Sequence, residues 1–158
     1  MPVEKSAGAI IFYRNGEGEI EYLLIQSSRG TQNYGFPKGL IEKGEGLVEA
    51  ALREAAEESG LKNLTLVREF KETARYFYKA KFDYQFKRGF KPGDTVMKFV
   101  TYFLVESKDK KVKLSFEHEA YEWLAFGEAV DKLKKHKPTQ LILKKADEFL
   151  HAKSGKSV

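Results

Sequence analysis

Residues 39–61 read GLIEKGEGLVEAALREAAEESGL, and this stretch decides the fold. Gly39, Glu45, Arg53, Glu54, Glu57, Glu58 and Gly60 fit the pattern Gly-x5-Glu-x7-Arg-Glu-x-x-Glu-Glu-x-Gly. If each identity arose by chance about 7% of the time, all of them would coincide at roughly 1 in 10⁸. The spacing predicts a helix from near Leu47, just past Gly44 and Gly46, to Gly60, which suits a left-handed C-terminal cap. At about 100° per residue, Leu47, Val48, Ala51, Leu52 and Ala55 form one apolar arc, with Glu54, Glu57 and Glu58 together on its flank and Ala50 one turn earlier.

That carboxylate cluster conflicts with helix formation. Like charges at i,i+4 cost a few tenths of a kcal/mol each, and the helix dipole disfavours negative charge near the C-terminus. A divalent cation removes the conflict. Hard oxygen ligands with open positions suit Mg²⁺ or Mn²⁺, which also bind substrate phosphates. A solvated acidic helix face with Glu49 and Arg53 paired at i,i+4 would explain a lone Glu-Glu, but not the fixed glycines or the Glu45 to Arg53 spacing.

The stretch resembles the signature of the Nudix hydrolases, in which a loop-helix-loop holds metal ions and water attacks a phosphoanhydride phosphorus. The resemblance implies an α/β fold, a Nudix-type α/β/α sandwich with a mixed central sheet. By it Glu54, Glu57 and Glu58 are metal ligands, joined by the backbone carbonyl of Lys38, and more than one ion is expected. Arg53 and Glu45 would brace the loop against the helix. Ala55 stands where the family prefers a bulky aliphatic, a departure that bears on packing.

The 158-residue chain suffices for one domain, expected over residues 1–151, with 152–158 (AKSGKSV) expected to be a disordered tail. The absence of cysteine excludes disulfides, thiolate metal sites and cysteine nucleophiles, and fits a reducing compartment. No apolar run is long enough for a signal peptide or a membrane span, so a cytoplasmic monomer without membrane partners is expected. A formal charge of +5 fits polyanionic partners and, equally, a lysine-rich solvated surface.

Strands are expected over 6–14, 20–27, 64–70, 73–88, 96–106 and 121–125, with amphipathic helices over 127–135 and 139–151 separated at Pro138. Residues 28–35 read as a polar loop. Within 75–91 (RYFYKAKFDYQFKRGFK), alternation places Tyr76, Tyr78, Phe82, Tyr84 and Phe86 on one strand face and Lys79, Lys81 and Lys87 on the other. Most of these rings are expected in the core of a half-buried strand, with one or two left to stack on a nucleobase.

Phe36-Pro37-Lys38-Gly39 leads into the signature, where Lys38 can meet a phosphate as a point charge. Residues 114–124 (LSFEHEAYEWL) contain Ser115, Glu117, His118, Ala120, Tyr121, Trp123 and Leu124. Glu-His-Glu is too short to be a metal motif alone. Both segments, however, are similar to those of the asymmetrical diadenosine tetraphosphate hydrolases within the Nudix family. That resemblance spans about residues 6–150. It implies that Glu117 reaches the metals from a distant loop, that Lys98 contacts phosphate and that Tyr76 stacks on adenine. Glu54, Glu57 and Glu117 are all candidates for the general base. The expected reaction is metal-assisted hydrolysis of diadenosine tetraphosphate to ATP and AMP. The alternatives are an RNA 5′-triphosphate pyrophosphohydrolase using the basic 75–91 segment, an inositol pyrophosphate hydrolase, and a non-catalytic nucleotide or RNA sensor. The complete set of signature carboxylates argues against the last.

Overall fold

The computed structural model describes residues 1–27, 33–116 and 118–155. Its centre is β1 (Val3–Arg14), a strand buried from Ser6 to Phe12. It pairs with β2 (Ile20–Ser27) through the turn at 15–19 and, in parallel, with β6 (Thr95–Ser107). β5 (Leu64–Lys79) closes one edge of the sheet beside β6, and β3 (Tyr34–Gly35) lies beyond β2. The short strand β4 (Lys38–Leu40) pairs with β1, and β7 (His118–Leu124) pairs with β2. One parallel pair among antiparallel ones makes the sheet mixed, as expected.

Alternation along β1 assigns each face its cover. Ala7, Ala9 and Ile11 point toward α1 (Leu47–Ser59), where Ala50, Ala51 and Ala55 are fully buried. Alanines on both sides bring helix and strand close together, which explains why Ala55 is small: a larger side chain would overpack this contact. Ile10 and Phe12 join Tyr22, Leu24, Val100, Tyr102 and Leu104 on the other face. There α3 (Phe126–Lys132) and α4 (Lys137–Gly155) contribute Ala129, Ile142, Leu143, Ala146 and Leu150. The core therefore has two layers, one on each side of the sheet.

α1 matches its expected bounds. Gly60 caps it at φ 72 and donates its N–H to the Ala56 carbonyl at 2.9 Å. Elsewhere the boundaries move. The extended run expected over 73–88 ends at Lys79, because Asp83–Phe86 forms a short helix, α2. Gln85 Oε1 accepts the N–H groups of Lys81 (2.7 Å) and Phe82 (3.0 Å), turning the chain where the alternating rings suggested a strand. Tyr84 and Phe86 are therefore not on a strand face with Tyr76 and Tyr78. Pro138 lies in the first turn of α4 rather than in a break, a position where its missing N–H costs nothing. α4 continues through Gly155, into the segment expected to be a tail. β7 begins at His118, three residues before the expected strand. Of the polar loop expected over 28–35, residues 28–32 lie outside the described residues.

β5 contains an irregularity that sets the site. Val67 pairs with Leu104 and Lys71 with the next residue, Phe103, so residues 68–70 bulge out, with Glu69 at φ 75. Beyond the bulge, Ala74 pairs with Val100 and Tyr76 with Lys98.

Candidate active site

The face that packs against α3 and α4 is apolar at one end and polar at the other. Glu4 of β1 pairs in register with Lys98 of β6, and Lys98 with Tyr76 of β5. β4 brings Lys38 alongside Gly8. Four strands thus place these side chains at the rim of one cleft of about 930 Å³. Glu54 and Glu58 border it on the helix side, and Tyr78, Phe82, Tyr84 and Arg88 border it opposite. A smaller lobe of about 370 Å³ continues past Tyr76 to Tyr34, His118 and His136.

On α1 the carboxylates are not equivalent. Glu54 and Glu58 are mostly buried, at 14% and 11% side-chain exposure, whereas Glu57 is 59% exposed. Ala50, one turn earlier on the same line, is fully buried, so this side of the helix faces the sheet. Arg53 holds the loop and the helix together. It donates to Glu45 twice (Nε to Oε2 2.6 Å, Nη2 to Oε1 3.0 Å) and to the Leu40 carbonyl (3.0 Å). It also reaches Glu54 (2.9 Å) and Glu57 (3.2 Å). Burial raises the Glu54 carboxyl above its ordinary value; Arg53 opposes the shift and Glu57 reinforces it. Gly39 lies directly against this carboxylate: a Cβ there would fall 2.5 Å from Oε2 and closer to the rest of the group. Glu58 Oε2 accepts the Lys38 N–H at 3.2 Å and lies 3.6 Å from His118 Nε2.

The cationic side is equally built. Lys38 Nζ donates to the Tyr76 hydroxyl at 3.1 Å. Burial lowers the Lys38 ammonium, while Glu58 and Glu4 raise it. Burial also raises the Tyr76 phenol, with Lys98 acting against the shift. The Tyr76 ring meets the His136 imidazole edge-on, centroids 4.7 Å apart. Burial, then the charges of Lys38 and Lys98, lower the His136 imidazole below its ordinary value. Lys98 is not a loose surface cation: its Nζ lies 2.9 Å from Glu4 Oε1, at 17% exposure.

Glu4 and His136 were not anticipated from the sequence, and Arg88 was anticipated only as part of the basic 75–91 segment. Glu4 is 3% exposed and receives Arg88 (2.6 Å), Tyr78 (2.7 Å) and Lys98. Burial would raise its carboxyl, but the Lys98 charge and the hydrogen bonds from Tyr78, Lys98 and Arg88 prevail and hold it below the ordinary value. The available signal was an acid two residues before an apolar strand, together with a lysine at the start of another. Glu117 lies outside the described residues. Its neighbour His118 is placed against Glu58, its Nδ1 3.1 Å from Ser115 Oγ.

A mixed sheet between helices, with a glycine-flanked acidic helix at the mouth of a basic cleft, defines the class. The NUDIX domain profile matches residues 4–145, and the chain belongs to the NUDIX family. The mouse asymmetrical bis(5′-nucleosyl)-tetraphosphatase is 34% identical over 155 residues, covering 92% of this chain and 95% of that protein. The crystal structure of a Caenorhabditis elegans Ap4A hydrolase binary complex superposes with a TM-score of 0.76 at 30% identity, covering 94% of this chain and 98% of that one. An RNA pyrophosphohydrolase of Bartonella bacilliformis is 34% identical over 76 residues, 46% of this chain and 45% of that protein.

Proposed function

We propose that this chain hydrolyses a phosphoanhydride of a dinucleoside polyphosphate, with diadenosine tetraphosphate giving ATP and AMP. The observation that carries this reading is the single cleft that joins the buried carboxylates of α1 to the set Lys38, Tyr76 and Lys98. Near-complete coverage of the tetraphosphatase relatives supports it.

The donor set fits a divalent cation. Glu54 and Glu58 are hard oxygen donors, burial raises the Glu54 carboxyl, and only the missing Cβ of Gly39 lets that carboxylate sit where it does. Glu54, Glu57, Glu58, Glu117 and the Lys38 carbonyl are the proposed ligands of Mg²⁺ or Mn²⁺, with more than one ion. A metal bound there would neutralise the polyphosphate and lower the pKa of the attacking water. Arg53 orients Glu54, whose carboxylate, with Glu57 and Glu117 as the other candidates, takes the proton of that water. Lys38 and Lys98 hold phosphate oxygens, and Tyr76, fixed between them, presents its ring to a base. The reading also places the protein in the cytoplasm as a monomer. Among the described residues no helix is long and apolar enough to cross a membrane.

The basic wall formed by Lys79, Lys81 and Arg88, with the half-length match to an RNA pyrophosphohydrolase, favours triphosphorylated RNA as the second reading. A panel of dinucleoside polyphosphates, triphosphorylated RNA, nucleoside diphosphate sugars and inositol pyrophosphates with Mg²⁺, compared by kcat/KM, separates the two. The dinucleotide reading fails if RNA ends are the better substrate.

A further inference from the structure

We propose that Tyr84, backed by Phe82, is a second base-stacking platform that takes the distal nucleobase of the dinucleotide. This rests on the dinucleotide reading above and extends it to the half of the substrate that Tyr76 does not reach. A dinucleoside polyphosphate carries a flat base at each end of a chain of phosphates. Tyr76, buried and fixed between Lys38 and Lys98, serves one end. The wall opposite is formed by the segment around α2, and its two rings border both lobes of the cleft.

The rings of Phe82 and Tyr84 are parallel within 9°, with centroids 5.7 Å apart, an offset stack. Lys81 Nζ lies 5.4 Å from the centre of the Phe82 ring, a cation–π contact to the partly buried member of the pair. Tyr84 retains 41% of its surface exposed at the cleft. This wall is held in place. Ala80 N–H donates to the Asp94 carbonyl (2.9 Å) and Gly93 N–H to the Ala80 carbonyl (2.8 Å), closing the base of the segment. Gln85 clamps its entry, and Arg88 ties its far side to the buried carboxylate of Glu4 at 2.6 Å. The ordering cost of a stacking surface is therefore already met before ligand arrives. Lys79, Lys81 and Arg88 border the same wall, so a base seated on Tyr84 leaves its phosphates among cations. Stacking of this kind is tolerant of base identity. The platform therefore predicts that the distal base is exchanged for guanine or uracil with little change in KM.

The test compares diadenosine tetraphosphate with adenosine 5′-tetraphosphate, which lacks the distal nucleoside, in wild type, Tyr84→Leu and Tyr84→Phe. Wild type should prefer the dinucleotide. Tyr84→Leu should reduce that preference by about 5- to 150-fold, the range for one stacked base, with the change in KM rather than kcat. Tyr84→Phe keeps the ring and should restore the preference. Calorimetric binding of the dinucleotide in EDTA should show the same order without turnover. The platform is refuted if Tyr84→Leu lowers both substrates equally or if Tyr84→Phe is as impaired as Tyr84→Leu. If wild type turns over the dinucleotide and Tyr84→Leu leaves its preference unmoved, only the platform fails. If wild type turns over neither nucleotide with Mg²⁺, the dinucleotide reading fails and the platform with it.

Discussion

Substitution of Gly39 by alanine separates the chemistry of the site from the stability of the fold. The new Cβ would fall 2.5 Å from Glu54 Oε2 and closer still to the rest of the carboxylate, whereas ordinary contact begins at 3.4 Å, so the carboxylate must retreat by at least about 1 Å. It can do so, because it is the free end of a flexible side chain rather than backbone. The fold loses little. Arg53 gives up one contact with Glu54 but keeps both bonds to Glu45 and its bond to the Leu40 carbonyl. Alanine in place of glycine within β4 returns about 0.5–1 kcal/mol of conformational entropy, close to the worth of the hydrogen bond lost. The melting temperature should therefore shift by less than about 4 °C, the equivalent of ~1 kcal/mol for a chain of this size. Catalysis should suffer far more, because misplacing a reacting group by about 1 Å costs on the order of 10²-fold. Steady-state phosphate release with Mg²⁺, beside thermal unfolding of the same samples, measures both. On a Glu54→Ala background the collision is gone, so Gly39→Ala should cost less than about threefold there, a non-additivity expected of touching residues. An independent 10²-fold loss on that background, or a single mutant retaining a third of wild-type kcat/KM, would sink the assignment of Glu54 to the reacting centre.

Three further outcomes follow from the same geometry. Glu58→Gln removes a buried charge facing Lys38 and His118, so kcat should fall at least about 10²-fold, as for loss of a metal-assisted step, while the Tm declines rather than rises; near-wild-type turnover would remove Glu58 from the ligand set. Tyr76→Ala should raise KM for the dinucleotide about 5- to 150-fold, the value of one stacked base, and a change below twofold would mean the ring only packs against His136. The Glu4 carboxyl is held below its ordinary value of 4.5, so its stabilisation is complete above pH 4.5 and disappears as pH falls through the lowered folded value. Urea unfolding should therefore show Glu4→Gln weaker than wild type at neutral pH and the two converging in acid; parallel curves down to the acid limit would contradict the depressed carboxyl.

The sequence made the α1 site legible because its constraints are local. Three carboxylates, an arginine and two glycines lie within one helix and its approach, where spacing translates directly into shared faces. Tyr76, Lys98 and Lys38 were legible only through resemblance to relatives. Why they meet depends on β1 pairing with β6 and β6 with β5, contacts between residues far apart in the chain. Glu4 escaped notice for the same reason: its partners Lys98 and Arg88 are 94 and 84 positions away. Residues 80–88 read as strand because alternating rings and lysines are compatible with one, and only the Gln85 side chain, bonding its own upstream backbone, decides for a turn. Glycines at 89 and 93, both at positive φ, were the overlooked warning.

The bulge at 68–70 makes the cleft-lining face of β5 exchangeable in a single evolutionary step. Side chains on a strand alternate, so the number of residues before Lys71 fixes which of them face the cleft. Loss of one residue there, with the bulge kept at its present length, would slide β5 against β6 and turn Tyr76 and Tyr78 outward, bringing Phe77 and Lys79 into their places beside Lys98 and Val96. α1, with its carboxylates, is packed on the opposite face and would not move. A lineage carrying this fold can thus replace the two cleft-facing tyrosines with a phenylalanine and a lysine by deletion alone. Variation in chain length at this bulge among descendants would then track changes of substrate more closely than variation in the hydrolytic helix.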